Sequence, residues 1–185
     1  MQRRKFITMT LVLSALGASA KTNKMSSNEV PPKGFAVKAG ESRTGEHIKL
    51  GGVSPNDVKV SANDTNGNLA VFEYMGNEKG GPPLHVHLNQ DEIFYIVEGE
   101  YLFQVGEEKH RLKTGDTIFL PRNIPHAFAQ LRDKGKMFFF FNPAGKMEDY
   151  FRTIGKWHGQ PSQAEAVKAF EDHDMKIVGP PLKVE

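Results

Sequence analysis

GGPPLHVHLNQDEIFYIVEG (residues 80–99) and GDTIFLPRNIPHAFAQ (residues 115–130) decide how this chain is read. Between them they supply His85, His87, Glu92 and His126. Side chains two apart on a strand point to the same face, so an extended LHVHL aims two imidazoles at one point. Glu92 adds an oxygen ligand from the start of the next apolar run. His126 can join them only from a separate strand. Three neutral imidazoles and one carboxylate suit a first-row divalent metal, and they leave coordination positions free for water, oxygen or substrate.

The surrounding sequence is β-patterned from Gly45 onward. EHIKLGG is a short strand ending in paired glycines, and DVKVSAND alternates before the turn residues Asn63, Asp64, Asn66 and Gly67. NLAVFEYMG is a strong strand, followed by LHVHL. EIFYIVEGEYLFQVG reads as two strands hinged at Glu98-Gly99-Glu100, a hairpin signal. KHRLKTGDTIFLP gives two more strands around Thr114-Gly115-Asp116, and HAFAQLRD and KMFFFFNP complete the set. Many short strands with few helices predict a sandwich or barrel.

The two stretches resemble the paired motifs of the cupin superfamily, in its single-domain, cupin type 2 form. The first family motif is Gly, five residues, His, one, His, three or four, Glu, six, Gly. His85, His87, Glu92 and Gly99 fit it, while Lys79 stands at the leading Gly, with Gly80 and Gly81 just beyond. The second is Gly, five residues, Pro, one, Gly, two, His, three, Asn. Gly115, Pro121 and His126 fit, with Asn123 for the second Gly and Gln130 for the Asn. Asn tolerates the left-handed backbone that Gly supplies, and Gln keeps an amide. A lone His-x-His pair is common by chance; two motifs in the right order carry the four-ligand reading. The resemblance implies an all-β double-stranded β-helix (jelly-roll) barrel over 45–145. It also implies one divalent transition metal (Fe, Mn, Ni, Co, Cu or Zn) on His85, His87, Glu92 and His126.

Alternation predicts which side chains share the metal's cavity. Counting by twos from Glu92 places Phe94 and Ile96 on its face, and counting from His126 places Phe128 and Gln130 there. Phe103 on the next strand is a further pocket candidate. The four phenylalanines at 138–141 must use both faces of their strand. Such an apolar wall suits a flat organic molecule better than a small charged acid.

Among cupins, GGPPLHVHLNQDEIFYIVEGEY, FLPRNIPHAF, NPAG after the last strand and the ending IVGPPL look like small proteins related to quercetin 2,3-dioxygenase. That resemblance implies a metal-dependent dioxygenase of an aromatic or enolisable small molecule, with Glu92 as ligand and catalytic base. Cupins with the same ligands also include isomerases, decarboxylases and non-catalytic ligand binders, so those alternatives stay open.

The chain has 185 residues and no cysteine, which excludes disulfides, thiolate ligands and iron–sulfur chemistry. Its slight basic surplus lies at the start. Without Arg3, Arg4 and Lys5, 21 basic residues face 22 acidic ones, which is no nucleic-acid footprint. Those three residues, an apolar run from Phe6 to Gly17 and Ala18-Ser19-Ala20 read as a signal peptide over 1–20. QRRKFIT also resembles a twin-arginine signal. The expected product is periplasmic or secreted, with no stable membrane anchor, since the run is short and no Cys follows it. Residues 21–44, polar with Pro31-Pro32, read as a mobile leader. Residues 146–185 read as a helical tail packing on the barrel: MEDYFRTIG has an apolar stripe, and Ser162 with Glu165 forms a capping box for PSQAEAVKAFEDH. Exposed strand edges predict a homodimer.

Overall fold

The computed structural model describes residues 33–184. The expected signal peptide and most of the expected leader lie outside them. Eleven strands form two antiparallel sheets. In chain order they are β1 (Lys49–Leu50), β2 (Ser54–Val60), β3 (Ala70–Gly76), β4 (Pro83–His87), β5 (Asp91–Glu98) and β6 (Glu100–Val105). There follow β7 (Glu108–Lys113), β8 (Thr117–Leu120), β9 (His126–Gln130), β10 (Gly135–Asn142) and β11 (Met175–Pro181). Two helices, α1 (Met147–Ile154) and α2 (Gln163–Asp172), lie between β10 and β11. One sheet runs β1-β2-β3-β10-β5-β8 and the other β11-β4-β9-β6-β7. From β7 to β10 the chain changes sheet at every connection, and the result is the jelly-roll barrel that the cupin resemblance implies.

The Glu98-Gly99-Glu100 hinge is a correction. It is a corner, not a hairpin: β5 pairs with β10 and β8, whereas β6 pairs with β7 and β9. Gly99 has φ +97°, and a Cβ there would lie 3.1 Å from Gly135 Cα and Lys134 O. Only glycine turns the chain in that space. A hairpin does occur one connection later, where Val105 pairs with Glu108.

Period-two alternation sets the core. Phe72, Phe94, Ile96, Tyr101, Phe103, Met137, Phe139 and Phe141 all point inward and are buried. Phe72 and Phe139 stack at 5.2 Å, and Phe151 of α1 meets Phe72 edge-on at 4.9 Å. The phenylalanine run splits as its register demands. Phe139 and Phe141 enter the core, while Phe138 and Phe140 lie half-buried on the outer face, across from Tyr95 and Ile93.

The ordered body begins before residue 45. Arg43 N–H donates to Val58 O at 2.7 Å, and the Lys59 ammonium donates to Glu41 O at 2.5 Å. At the other end, the tail gives more than helices. β11 pairs with β4, with Met175 opposite His87 and Ile177 opposite His85, so the last segment completes the five-stranded sheet. The Ser162–Glu165 capping box of α2 forms as its spacing predicts.

Candidate metal centre

β4 puts His85 and His87 on the inner face of one sheet, and β9 pairs His126 directly with His85. β5, in the facing sheet, brings Glu92 from the opposite wall. One ligand atom from each of the four residues lies within 4.8 Å of the others. Glu92 Oε2 is 3.4 Å from His126 Nε2 and 3.7 Å from His87 Nε2. Ligand bonds of about 2.0–2.2 Å place neighbouring donor atoms about 3–4 Å apart, so the cluster has the dimensions of a first coordination shell.

Backbone carbonyls orient two of the rings. His85 Nδ1–H donates to Pro83 O at 2.8 Å, and His126 Nδ1–H donates to Ile124 O at 2.9 Å. A carbonyl only accepts, so both protons are on Nδ1 and both Nε2 lone pairs are free for an ion. His126 Nε2 is buried without a hydrogen-bond partner among the described residues. Burial and its imidazole neighbours push the His85 pKa down to about 3, and the same causes hold His87 well below the usual value. Burial raises the Glu92 carboxyl, opposed by its contact with His126. An orphaned imidazole nitrogen, two imidazoles held neutral by burial and a carboxylate with no Lys or Arg beside it among the described residues fit a divalent metal.

Neighbouring residues fix this arrangement. Asn123 has φ +64° and donates its N–H to His87 O at 2.8 Å, so it fills the left-handed position that the motif reserves for glycine. At the other substitution, Gly81 comes so close to Phe128 that a Cβ would overlap its carbonyl, which makes Gly80-Gly81 the site of close approach. Arg122 grips Asp91 beside Glu92: Nη2 to Oδ2 is 2.7 Å, and the backbone N–H donates to Oδ1 at 2.9 Å. The guanidinium holds the Asp91 carboxyl down to about 2. This clamp ties the start of the Glu92 strand to the loop leading to His126.

A cavity of about 550 Å³ opens onto the cluster. Of the expected pocket residues, Phe94 and Phe128 line it, but Ile96, Phe103 and Gln130 do not. Ile96 and Phe103 share the inward face but lie deeper, where the barrel is filled: Phe103 packs on Phe94 at 5.0 Å and on Phe128 at 5.7 Å. Gln130 is a structural clamp. Its amide donates to Gly76 O at 3.2 Å and Arg132 O at 2.8 Å, and its carbonyl accepts from Tyr101 O–H at 3.3 Å. Alternation gives the face but not the depth, which is why these three were included.

Sequence reasoning missed most of the opposite wall, which comes from the tail. Phe170 of α2 meets the His85 ring edge-on at 5.4 Å, and Tyr150, Ile154, Trp157 and Gln163 also line the cavity. Trp157 lies partly buried against the core. Buried Gln90, beside His87, was missed too; a loop glutamine carries no signal of its own. His47, His110, His158 and His173 stay outside the cluster.

Residues 70–141 match the cupin domain family. That stretch is similar to the family over the middle of the chain, and the two-sheet barrel has the jelly-roll architecture of the cupin fold. A 43-residue stretch is 46% identical to protein MJ1618 of Methanocaldococcus jannaschii, covering 23% of this chain and 34% of that one. A 54-residue stretch is 26% identical to protein SCO3923 of Streptomyces coelicolor, covering 29% and 51%. The matches thus span about a third to a half of these curated relatives. KdgF from Halomonas sp. is similar in structure, with TM-score 0.51 at 18% identity, covering 60% of this chain and 94% of that one. At that identity the likeness speaks to the fold alone.

Proposed function

We propose that this chain is a metal-dependent oxygenase of the quercetinase type, acting on a neutral aromatic or enolisable small molecule. The observation that carries this reading is the cavity wall. Apart from the four cluster residues, the described side chains of the wall are aromatic, aliphatic or uncharged polar, with no Lys, Arg or Asp among them. An anionic substrate would find no cationic side chain there, whereas a flat molecule with adjacent oxygen donors finds apolar walls and one polar end.

A divalent metal held by His85, His87, Glu92 and His126 supplies Lewis-acid polarisation of a bound oxygen donor and a path for electrons. The residues do the rest. Phe94, Phe128 and Phe141 exclude water and hold the ring. Glu92, whose pKa burial raises, accepts the substrate's hydroxyl proton at its carboxylate. The test is oxygen uptake with quercetin and simpler enols, using wild type and Glu92→Gln reconstituted with iron, manganese, nickel or copper. Uptake by wild type, with Glu92→Gln losing turnover more than metal, is expected. No uptake above the metal-free protein with any metal would overturn the oxygenase and leave a binding protein, isomerase or decarboxylase.

The proposal includes export, on the strength of the first twenty residues. Protein recovered from its own host should begin at Lys21; a retained Met1 overturns that part.

A further inference from the structure

Of the polar side chains that the tail adds to the cavity wall, Tyr150 is the one packed among the aromatic rings beside the metal site. Tyr150, on α1, lies outside the matched cupin domain yet lines the cavity beside the cluster. Its ring is held by Phe151 and Phe170, each at 5.2 Å, and by His173 at 5.6 Å, all at steep angles. The residue is buried, at 7% exposure. A buried phenol ordinarily turns its hydroxyl toward a polar partner, and this side chain lines the cavity that also holds the four cluster residues. The second tyrosine of the wall, Tyr74, has its partner beside it, Ser54.

Two further facts locate and define the Tyr150 hydroxyl. Phe170, against which Tyr150 packs, also meets the His85 ring at 5.4 Å, which puts Tyr150 on the ligand side of the cavity. Burial and the Glu92 carboxylate both raise its pKa, so it remains a neutral phenol with a proton to donate. An aromatic ring packed on several faces fixes where its hydroxyl oxygen lies, while the O–H turns to suit an acceptor.

We propose that Tyr150 contacts the ligand directly, its hydroxyl donating a hydrogen bond to the oxygen of a small molecule seated at the His85–His87–Glu92–His126 cluster. The inference rests on the reading of the cavity as a site for oxygen-chelating molecules. It makes α1 part of the binding site, and it gives the tail a role in choosing ligands with an oxygen acceptor at that position.

The experiment titrates 4-nitrocatechol into zinc-loaded wild type and Tyr150→Phe, following the visible spectrum of the probe. Zinc content and melting temperature are measured on both proteins. Tyr150→Phe keeps the ring and its packing, so both quantities should be unchanged. Its dissociation constant for the probe should rise about tenfold or more, the usual worth of a hydrogen bond to a charged acceptor. Equal dissociation constants in the two proteins would overturn the Tyr150 assignment and leave the cavity reading intact. No binding of the probe by zinc-loaded wild type would overturn the cavity reading and this assignment with it.

Discussion

Glu73 and Glu92 are both buried carboxylates of the same six-stranded sheet, at 4% and 5% exposure, and they are treated in opposite ways. Glu73 points outward from β3. Lys59 meets it at 2.6 Å, and Lys136 meets its other oxygen. Two ammonium groups outweigh the cost of burial, and its pKa lies below the ordinary value. Glu92 points inward from β5, toward three imidazoles and no Lys or Arg, and its pKa lies above the ordinary value. A buried charge is tolerated when paired or when it coordinates metal. Glu73 has its cations from the chain; Glu92 is arranged for a cation from outside it. The same residue type is thus a structural element on one face of the sheet and a ligand on the other.

The largest expected effect is on the inner side. His126→Ala removes the one ligand carried by β9 and should abolish most metal binding, read by elemental analysis after dialysis. Wild type should gain about 4 kcal/mol of stability when metal stands 1,000-fold above its dissociation constant, by linkage, and the variant almost none. Full metal occupancy in His126→Ala would break the contrast at its root.

Next comes a crossed pair. Glu73→Gln leaves two lysines without their carboxylate and should cost about 3–5 kcal/mol in denaturant unfolding. It should leave metal binding unchanged. Glu92→Gln should do the reverse. It weakens metal binding, yet in the metal-free protein it removes an unpaired buried carboxylate, so stability should hold or rise by on the order of 1 kcal/mol. Parallel losses of stability in the two metal-free variants would mean that Glu92 is structural as well.

The inner half of this contrast is legible in the sequence, and the reason is local. His85, Val86 and His87 state their own geometry, because period two is a property of the strand itself. Likewise Ser162 and Glu165 sit three residues apart, and a capping box needs nothing more. Other features depend on partners far along the chain. Gly99 between two alternating segments reads the same whether it turns a hairpin or a corner, and the pairing of β5 with β10 decides between them. Tyr150 and Phe170 show only a helical stripe in sequence; that the stripe faces His85 follows from β11 docking beside β4. The Lys59–Glu73–Lys136 group joins three strands spanning almost eighty residues, and no spacing rule links them.

The smallest expected effect is the acid sensitivity of the outer carboxylate. The folded pKa of Glu73 lies below its unfolded value of 4.5. Above pH 4.5 both states are ionised, and the lysine pairing contributes in full. As pH falls below 4.5 the unfolded chain takes up a proton that the folded one resists, so stability is lost until pH passes the folded value. Each unit of pH in that window costs less than about 1.4 kcal/mol for this one group. The measurement is a series of urea unfolding curves of metal-free protein between pH 6 and pH 3, comparing wild type with Glu73→Gln. Other carboxylates titrate identically in the two proteins, so the difference between the curves isolates Glu73. That difference should stay constant above pH 4.5 and narrow below it. A difference that does not change with pH would mean that Glu73 carries no ionised pairing, and the distinction between the two carboxylates would then rest on the metal alone.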